Sequence, residues 1–248
     1  MSPKKRLDLL VVEKGLTISR QRARSLIMAG RVMVDSLRID KPGTLVSHEA
    51  DITIKGEDIP FVSRGGLKLE GALTAFNIAV EDMVCLDVGA STGGFTDCLL
   101  TYGARCVYAV DVGYGQLAWK LRQDPRVHLL ERTNIRHMAM DQIPERVDIV
   151  TIDASFISLR IVVPAVLKFL KPKGLILALI KPQFEVGKGK VGKGGVVKNQ
   201  QQHVEVIESL KNFFTEQGLE CGPVVPSTVL GPKGNQEFII LVRNGNSV

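Results

Sequence analysis

The chain has 248 residues, enough for one large domain or a medium one with a small companion. Its hydrophobic content of 45% is that of a packed protein, and its net charge of +6 with a pI near 9.2 favours a polyanionic partner. No apolar run approaches the roughly 18 residues of a membrane helix, and the four cysteines (85, 98, 106 and 221) and four histidines form no C-x-x-C pair or metal-ligand cluster. With no apolar signal segment behind the basic start, these features predict a cytoplasmic protein with no integral membrane segment and no metal.

From the N-terminus, Leu7, Leu10 and Val11 recur at helical spacing, so Arg6 to Lys14 predicts a helix that Gly15 ends. Ser19 suits the cap of a second helix, Arg20 to Ala29, stopped by Gly30. Arg31 to Val34, Arg38 to Asp40 and Asp51 to Ile54 predict short strands around a Pro42-Gly43 turn. Residues 1–41 carry ten Lys or Arg against four acids, an excess of +6 that equals the net charge of the whole chain. A basic helix feeding a basic strand is the footprint of RNA-backbone binding, with Arg6, Arg20, Arg22, Arg24 and Arg31 as its contacts; a solvated basic face is the alternative. Arg6-Leu7-Asp8, followed by Ser19-Arg20, Ala23, Leu26-Ile27, Gly30, Val32 and Val34-Asp35, resembles the small RNA-binding domain named after ribosomal protein S-four. On that reading residues 1–60 form a small α+β RNA-binding domain, with Gly56 to Pro60 as linker, and residues 61–82 form a linker and lead-in helix.

That helix, Leu67 to about Phe76, follows a turn at Ser63, Arg64, Gly65 and Gly66. Lys68 falls in its first turn, where the helix dipole disfavours a cation, so it is either a surface lysine or a positioned one. Residues 83–248 then read as a doubly wound α/β domain. Met83 to Leu86 is a buried strand, Asp87 to Gly94 a glycine-rich turn, and Phe95, Cys98, Leu99 and Leu100 continue at helical spacing. Strand, glycine turn and helix form the first unit of a nucleotide-binding fold, and Asp111, after the next strand (Cys106 to Val110), stands where such folds hold ribose hydroxyls. A dinucleotide loop reads G-x-G-x-x-G, yet Ser91 replaces the second glycine and Asp87 adds an anion that a pyrophosphate would avoid. Charge therefore favours a cationic sulfonium cofactor, S-adenosylmethionine, over NAD. D-x-G-x-S-x-G-G-F resembles the first motif of the RrmJ/FtsJ-like RNA ribose methyltransferases, and implies cofactor contacts from Asp87, Gly89, Ala90, Ser91, Gly93, Gly94, Phe95, Asp111, Val112, Asn134, Ile135 and Asp153.

The alternation continues with a helix at Gly115 to Arg122, strands at Val127 to Leu130 and Val147 to Ile152, a helix at Ile161 to Leu170 and a strand at Gly174 to Ile180. A helix at Gln200 to Gln217 and strands at Val224 to Leu230 and Phe238 to Val242 complete it. Asp87, Asp111, Asp153 and Lys181 end strands, on the rim where ligands bind such sheets. Between Lys181 and Lys198 five lysines face one acid, so Phe184 to Lys198 reads as a basic lid, with Lys188, Lys190 and Lys193, joined by Arg64, as RNA contacts.

FtsJ-type enzymes align and deprotonate a ribose 2′-hydroxyl with a Lys-Asp-Lys-Glu tetrad, and the resemblance assigns it to Lys68, Asp153, Lys181 and Glu237. Deprotonating a free lysine at pH 7 costs about 4 to 5 kcal/mol, so the residues leave open whether Lys181 is the general base or steers the hydroxyl. Base-amino methyltransferases offer a rival pattern, an acid, two prolines and an aromatic; Asp153-Ala154-Ser155-Phe156 matches only its ends. The whole chain resembles the TlyA family, often labelled hemolysin A, which includes ribosomal RNA cytidine 2′-O-methyltransferases. The resemblance implies an enzyme acting on ribosomal RNA or ribosomal subunits; a membrane-lytic hemolysin and an RNA-binding assembly factor without turnover are the alternatives.

Overall fold

The computed structural model describes residues 4–17, 20–28, 30–55, 59–187, 191–192 and 194–245. The chain folds as two compact units, Met1–Asp58 and Ile59–Val248.

The first unit runs β1 (Lys4–Arg6), α1 (Leu7–Glu13), α2 (Arg20–Met28), β2 (Val32–Val34), β3 (Leu37–Arg38), β4 (Leu45–Ser47) and β5 (Ile52–Ile54). Strands order β3-β2-β5, while β1 pairs with β4; all these pairings are antiparallel. The helical spacing of Leu7, Leu10 and Val11 buries them against Ala23, Leu26 and Ile27 of α2 and Val32 and Val34 of β2. Strands β1 and β4 are additions to the sequence reading: Lys4-Lys5-Arg6 has no apolar alternation and becomes a strand only by pairing with Leu45–Ser47. The expected Ser19 cap, Ala29 and Gly56 to Asp58 lie outside the described residues.

The second unit runs α3 (Gly65–Ala75), β6 (Val84–Val88), α4 (Gly94–Thr101), β7 (Cys106–Val110), α5 (Trp119–Arg122), β8 (Val127–Leu130), β9 (Val147–Ile152) and α6 (Leu159–Val166). It continues with β10 (Leu170–Ile180), α7 (Pro182–Glu185), α8 (Gln200–Glu216), β11 (Leu219–Pro226) and β12 (Phe238–Asn244). One seven-stranded sheet orders β11-β12-β10-β9-β6-β7-β8. It is parallel from β10 to β8, with β12 and β11 antiparallel at one edge. The parallel strands are apolar on both faces. Leu69 and Leu73 of α3 and Phe95 and Leu99 of α4 pack with Cys85, Val107 and Ile149. Val162 and Val166 of α6 and Leu210 and Phe214 of α8 pack with Leu86, Val150 and Ile176, which face the other way by strand alternation. This is the doubly wound Rossmann-like architecture. The chain leaves β6 for β7 and β8 on one side and returns for β9 and β10 on the other, so the topological switch lies between β6 and β9. No helix among the described residues is long and apolar enough to cross a membrane.

Several boundaries differ from those expected. The helix over 115–122 is one turn, Trp119–Arg122, because Gly115 adopts a positive φ of 74°. Strand β10 begins at Leu170, with its register to β9 interrupted between Leu170 and Leu175, and the helix before it ends at Val166. Strand β11 covers 219–226 rather than 224–230, since pairing with β12 starts as soon as α8 ends. Phe184 and Glu185 belong to a helical turn that Pro182 opens.

Gly93 is the N-cap of α4 with φ at 97°, and a Cβ there would stand 2.3 Å from Cδ1 of Leu121 and 2.8 Å from Cδ1 of Leu117. Gly93→Ala is expected to destabilise the fold by about 1–3 kcal/mol, read as a lower thermal midpoint; an unchanged midpoint would show that the turn tolerates a side chain.

Candidate active site

Two lysines are buried at the rim, and each has its own carboxylate. Lys68, 8% exposed on α3, donates to Oε2 of Glu237 at 2.5 Å; Glu237, just before β12, is fully buried. Lys181, 7% exposed after β10, lies 2.6 Å from Oδ1 of Asp153, after β9, and donates to Oγ of Ser155 at 2.8 Å. All four charged residues line one cavity of ≈ 450 Å³ together with Arg64, Gly94 and Phe95. A buried ammonium without a counter-charge is costly, which makes two such pairs on one wall informative. Oε1 of Glu237 is buried with no hydrogen-bond partner among the described residues, so the cavity retains an acceptor. Gly231 lets the chain lie against that carboxylate: a Cβ there would come 2.1 Å from Oε1. Ser155 and Gly231 touch these charged groups and were absent from the sequence reading's site; Ser155 sits within the D-A-S-F stretch, whereas nothing local marks Gly231.

A second cavity of ≈ 470 Å³ adjoins the first and shares Gly89, Ser91, Asp153 and Ser155 with it. The remaining wall includes Asp111, Val112, Gln116, Asn134, Ile135 and Phe156. Gly89 makes the junction possible. Its φ is 84°, and a Cβ would strike the backbone oxygen of Asp153 at 2.8 Å, so β6 and β9 approach here without a side chain between them. Asp111 fixes the loop by accepting from the Ser91 N–H at 2.7 Å and the Gly113 N–H at 2.6 Å. The cavity wall bears two carboxylates, of which Asp153 is paired with Lys181, and no lysine or arginine lines it among the described residues. Its size, its apolar walls and its negative charge fit an adenosine ligand carrying a sulfonium and an ammonium, and not a pyrophosphate.

Asp87 and Gly93 do not line either cavity. Asp87 is fully buried on the α4 face of β6, where Thr96 Oγ1 donates to it at 2.7 Å and Thr151 Oγ1 at 3.0 Å. Each carboxylate oxygen is therefore engaged beneath the loop, outside both cavities. Gly93 faces Leu117 and Leu121 instead of a ligand. Ala90, Ser91 and Phe95 line the first cavity and Val112, Asn134 and Ile135 the second. Phe156 is 89% exposed at a positive φ of 63°, 5.0 Å from the Phe184 ring. Its loop is held by Glu185, which accepts from Ser158 Oγ at 2.7 Å and the Leu159 N–H at 2.8 Å. Of the expected RNA contacts, Arg6 and Arg20 both meet Asp8, and Arg31 Nε donates to the Lys55 carbonyl at 2.9 Å. Arg22 and Arg24 lie on α2; Lys188, Lys190 and Lys193 lie outside the described residues.

With this geometry in view, the family models for an FtsJ-like methyltransferase and an S4 domain match residues 61–244 and 5–52 respectively. The chain belongs to the FtsJ-like methyltransferase family. Within it, the chain is 48% identical over 244 residues to the 16S/23S rRNA (cytidine-2′-O)-methyltransferase TlyA of Mycobacterium tuberculosis, covering 98% of this chain and 91% of that one. It is 39% identical to a Brachyspira hyodysenteriae relative named Hemolysin A, covering 94% and 98%. A solved structure named for a hemolysin of Streptococcus thermophilus superposes with a TM-score of 0.77 at 43% identity, covering 100% of this chain and 90% of the other.

Burial pushes the Asp87 carboxyl up to about 7, against the pull of the Thr96 and Thr151 hydroxyls. An unfolded aspartate titrates near 3.9, so between those values the folded state holds a proton that the unfolded chain releases, and stability falls as pH rises through this window. The thermal midpoint of the native protein minus that of Asp87→Asn should therefore decline from about pH 4 to about pH 7; a flat difference would place the carboxyl in its ordinary range.

Proposed function

We propose that this chain transfers a methyl group from S-adenosylmethionine to a ribose 2′-hydroxyl of ribosomal RNA, with cytidine as the target nucleotide. The observation that carries this reading is the junction of the two cavities at Gly89 and Asp153, with two buried Lys–carboxylate pairs on one side and an acidic, apolar-walled site on the other. S-adenosylmethionine supplies a methyl group on a sulfonium when bound. Asp111, Asn134, Ile135, Val112 and the 89–91 loop, which line the second cavity or its junction with the first, would hold it. Asp153 and Ser155 fix Lys181, which gives its own proton to solvent, aligns the hydroxyl and then receives the hydroxyl proton as the oxygen gains the methyl group. Asp153 then faces the ammonium so formed. Lys68, steadied by Glu237, provides positive charge for the developing oxyanion, and Arg64 on the same wall suits a flanking phosphate.

The ribosomal RNA and cytidine assignments are supported by the curated name of the M. tuberculosis relative, at 48% identity over nearly the whole chain. The S4 domain match and the excess of +6 over residues 1–41 support RNA as the partner. In this reading residues 1–60 grip RNA, 61–82 link and lead in, 83–248 carry the chemistry, and the protein works in the cytoplasm.

The deciding experiment is transfer of radiolabelled methyl to isolated ribosomal subunits, followed by digestion to nucleosides. Label in a 2′-O-methylcytidine is expected; label in a methylated base would discard the ribose reading. Lys181→Ala should lose at least about 100-fold in turnover with S-adenosylmethionine affinity unchanged, and normal turnover would sink the role of Lys181. Affinity for ribosomal RNA should fall steeply with salt, with a log–log slope of about −3 to −5 for some five neutralised phosphates, and a flat response would remove the electrostatic reading of residues 1–41.

A further inference from the structure

The first unit holds a charged cluster that the methyl-transfer site does not use. Asp8, in the first turn of α1, is fully buried, yet it accepts three hydrogen bonds from two arginines. Arg6 grips it with two prongs, Nε to Oδ1 and Nη2 to Oδ2, each at 3.0 Å, and Arg20 Nε reaches Oδ2 at 3.0 Å. Arg6 precedes α1 and Arg20 opens α2, so one carboxylate joins two elements. The arginine side chains are 45% and 52% exposed. A guanidinium has five N–H donors, and these contacts engage two on Arg6 and one on Arg20. The 42–44 turn closes the arrangement. The Leu7 N–H donates to the Thr44 carbonyl at 2.8 Å and the Asp8 N–H to that of Pro42 at 3.1 Å, while a Cβ on Gly43 would lie 3.4 Å from Arg6 Nη1.

We infer that Asp8 is a positioning residue that joins Arg6 and Arg20 into a single clamp for an RNA backbone phosphate. Two guanidiniums brought side by side repel and would fan apart on their flexible stems. A carboxylate between them cancels the repulsion and fixes both planes, which leaves the outer donors arranged for an anion. The same contacts hold the Asp8 carboxyl down at about 2, so it stays ionised at neutral pH. The inference rests on the RNA-binding reading of this unit and adds to it that the two arginines act as one site.

Charge alone and positioning predict opposite signs. Removing an anion beside a phosphate site should tighten RNA binding if only charge matters, and weaken it if Asp8 shapes the clamp. The test measures the affinity of the full chain for purified ribosomal RNA at fixed salt. Asp8→Asn is expected to weaken binding by about 3- to 10-fold, and to change it less than about 2-fold when Arg6 and Arg20 are both already alanine. Binding by Asp8→Asn as tight as or tighter than the native chain's overturns the clamp. So does an equal loss in the double-alanine background, which would mark a general effect on folding. Arg6→Lys, which keeps the charge and leaves Asp8 in place, should weaken binding nearly as much as Arg6→Ala, and native-like affinity would equally overturn the proposal. A native chain that does not bind this RNA would instead overturn the RNA reading itself, and one that binds it without salt dependence would overturn the electrostatic reading and the clamp with it.

Discussion

A buried ammonium must meet a carboxylate, and this requirement organises the rim of the sheet. Lys68 reaches Glu237 from a position 169 residues earlier in the chain, and Lys181 reaches Asp153 across neighbouring parallel strands. Neither pair is stable in isolation, since desolvating a lone charge costs several kcal/mol. The pairs hold because α3, β9, β10 and the start of β12 converge on one wall. The antiparallel return of β12 beside β10 is the step that delivers Glu237 to that wall. Resemblance to the Lys-Asp-Lys-Glu tetrad suggests one cluster of four, whereas the geometry resolves it into two ion pairs. Both pairs lie on the wall of the same cavity.

The second dependence is on close backbone approach. The cofactor-side cavity and the lysine-bearing cavity meet only because Gly89 brings β6 against the Asp153 carbonyl at the topological switch. Asp87 supports this junction from beneath: its two oxygens tie β6 to α4 through Thr96 and to β9 through Thr151. The acid that charge reasoning assigns to the ligand is thus part of the frame that shapes the ligand's site. Arg6, Asp8 and Arg20 repeat the theme in the first unit, where a buried acid governs the geometry of groups that face outward.

Much of this was legible in the linear chain. The strand, glycine turn and helix of 83–97, the strand-ending acids at 111 and 153 and the helical spacing of Leu7, Leu10 and Val11 are short-range patterns, set by backbone sterics and side-chain periodicity. They determine the fold class and the position of the glycine-rich loop, whereas the four charged residues at the rim were picked out by family resemblance. Tertiary structure alone decided which lysine meets which carboxylate and that Asp87 is buried against Thr96 and Thr151. It also decided that Lys4–Arg6 is a strand, that β11 begins at Leu219 and that Ser155 and Gly231 belong to the site. The physical reason is the same in each case: these features arise from pairing and burial between segments distant in sequence, and local pattern carries no record of the partner.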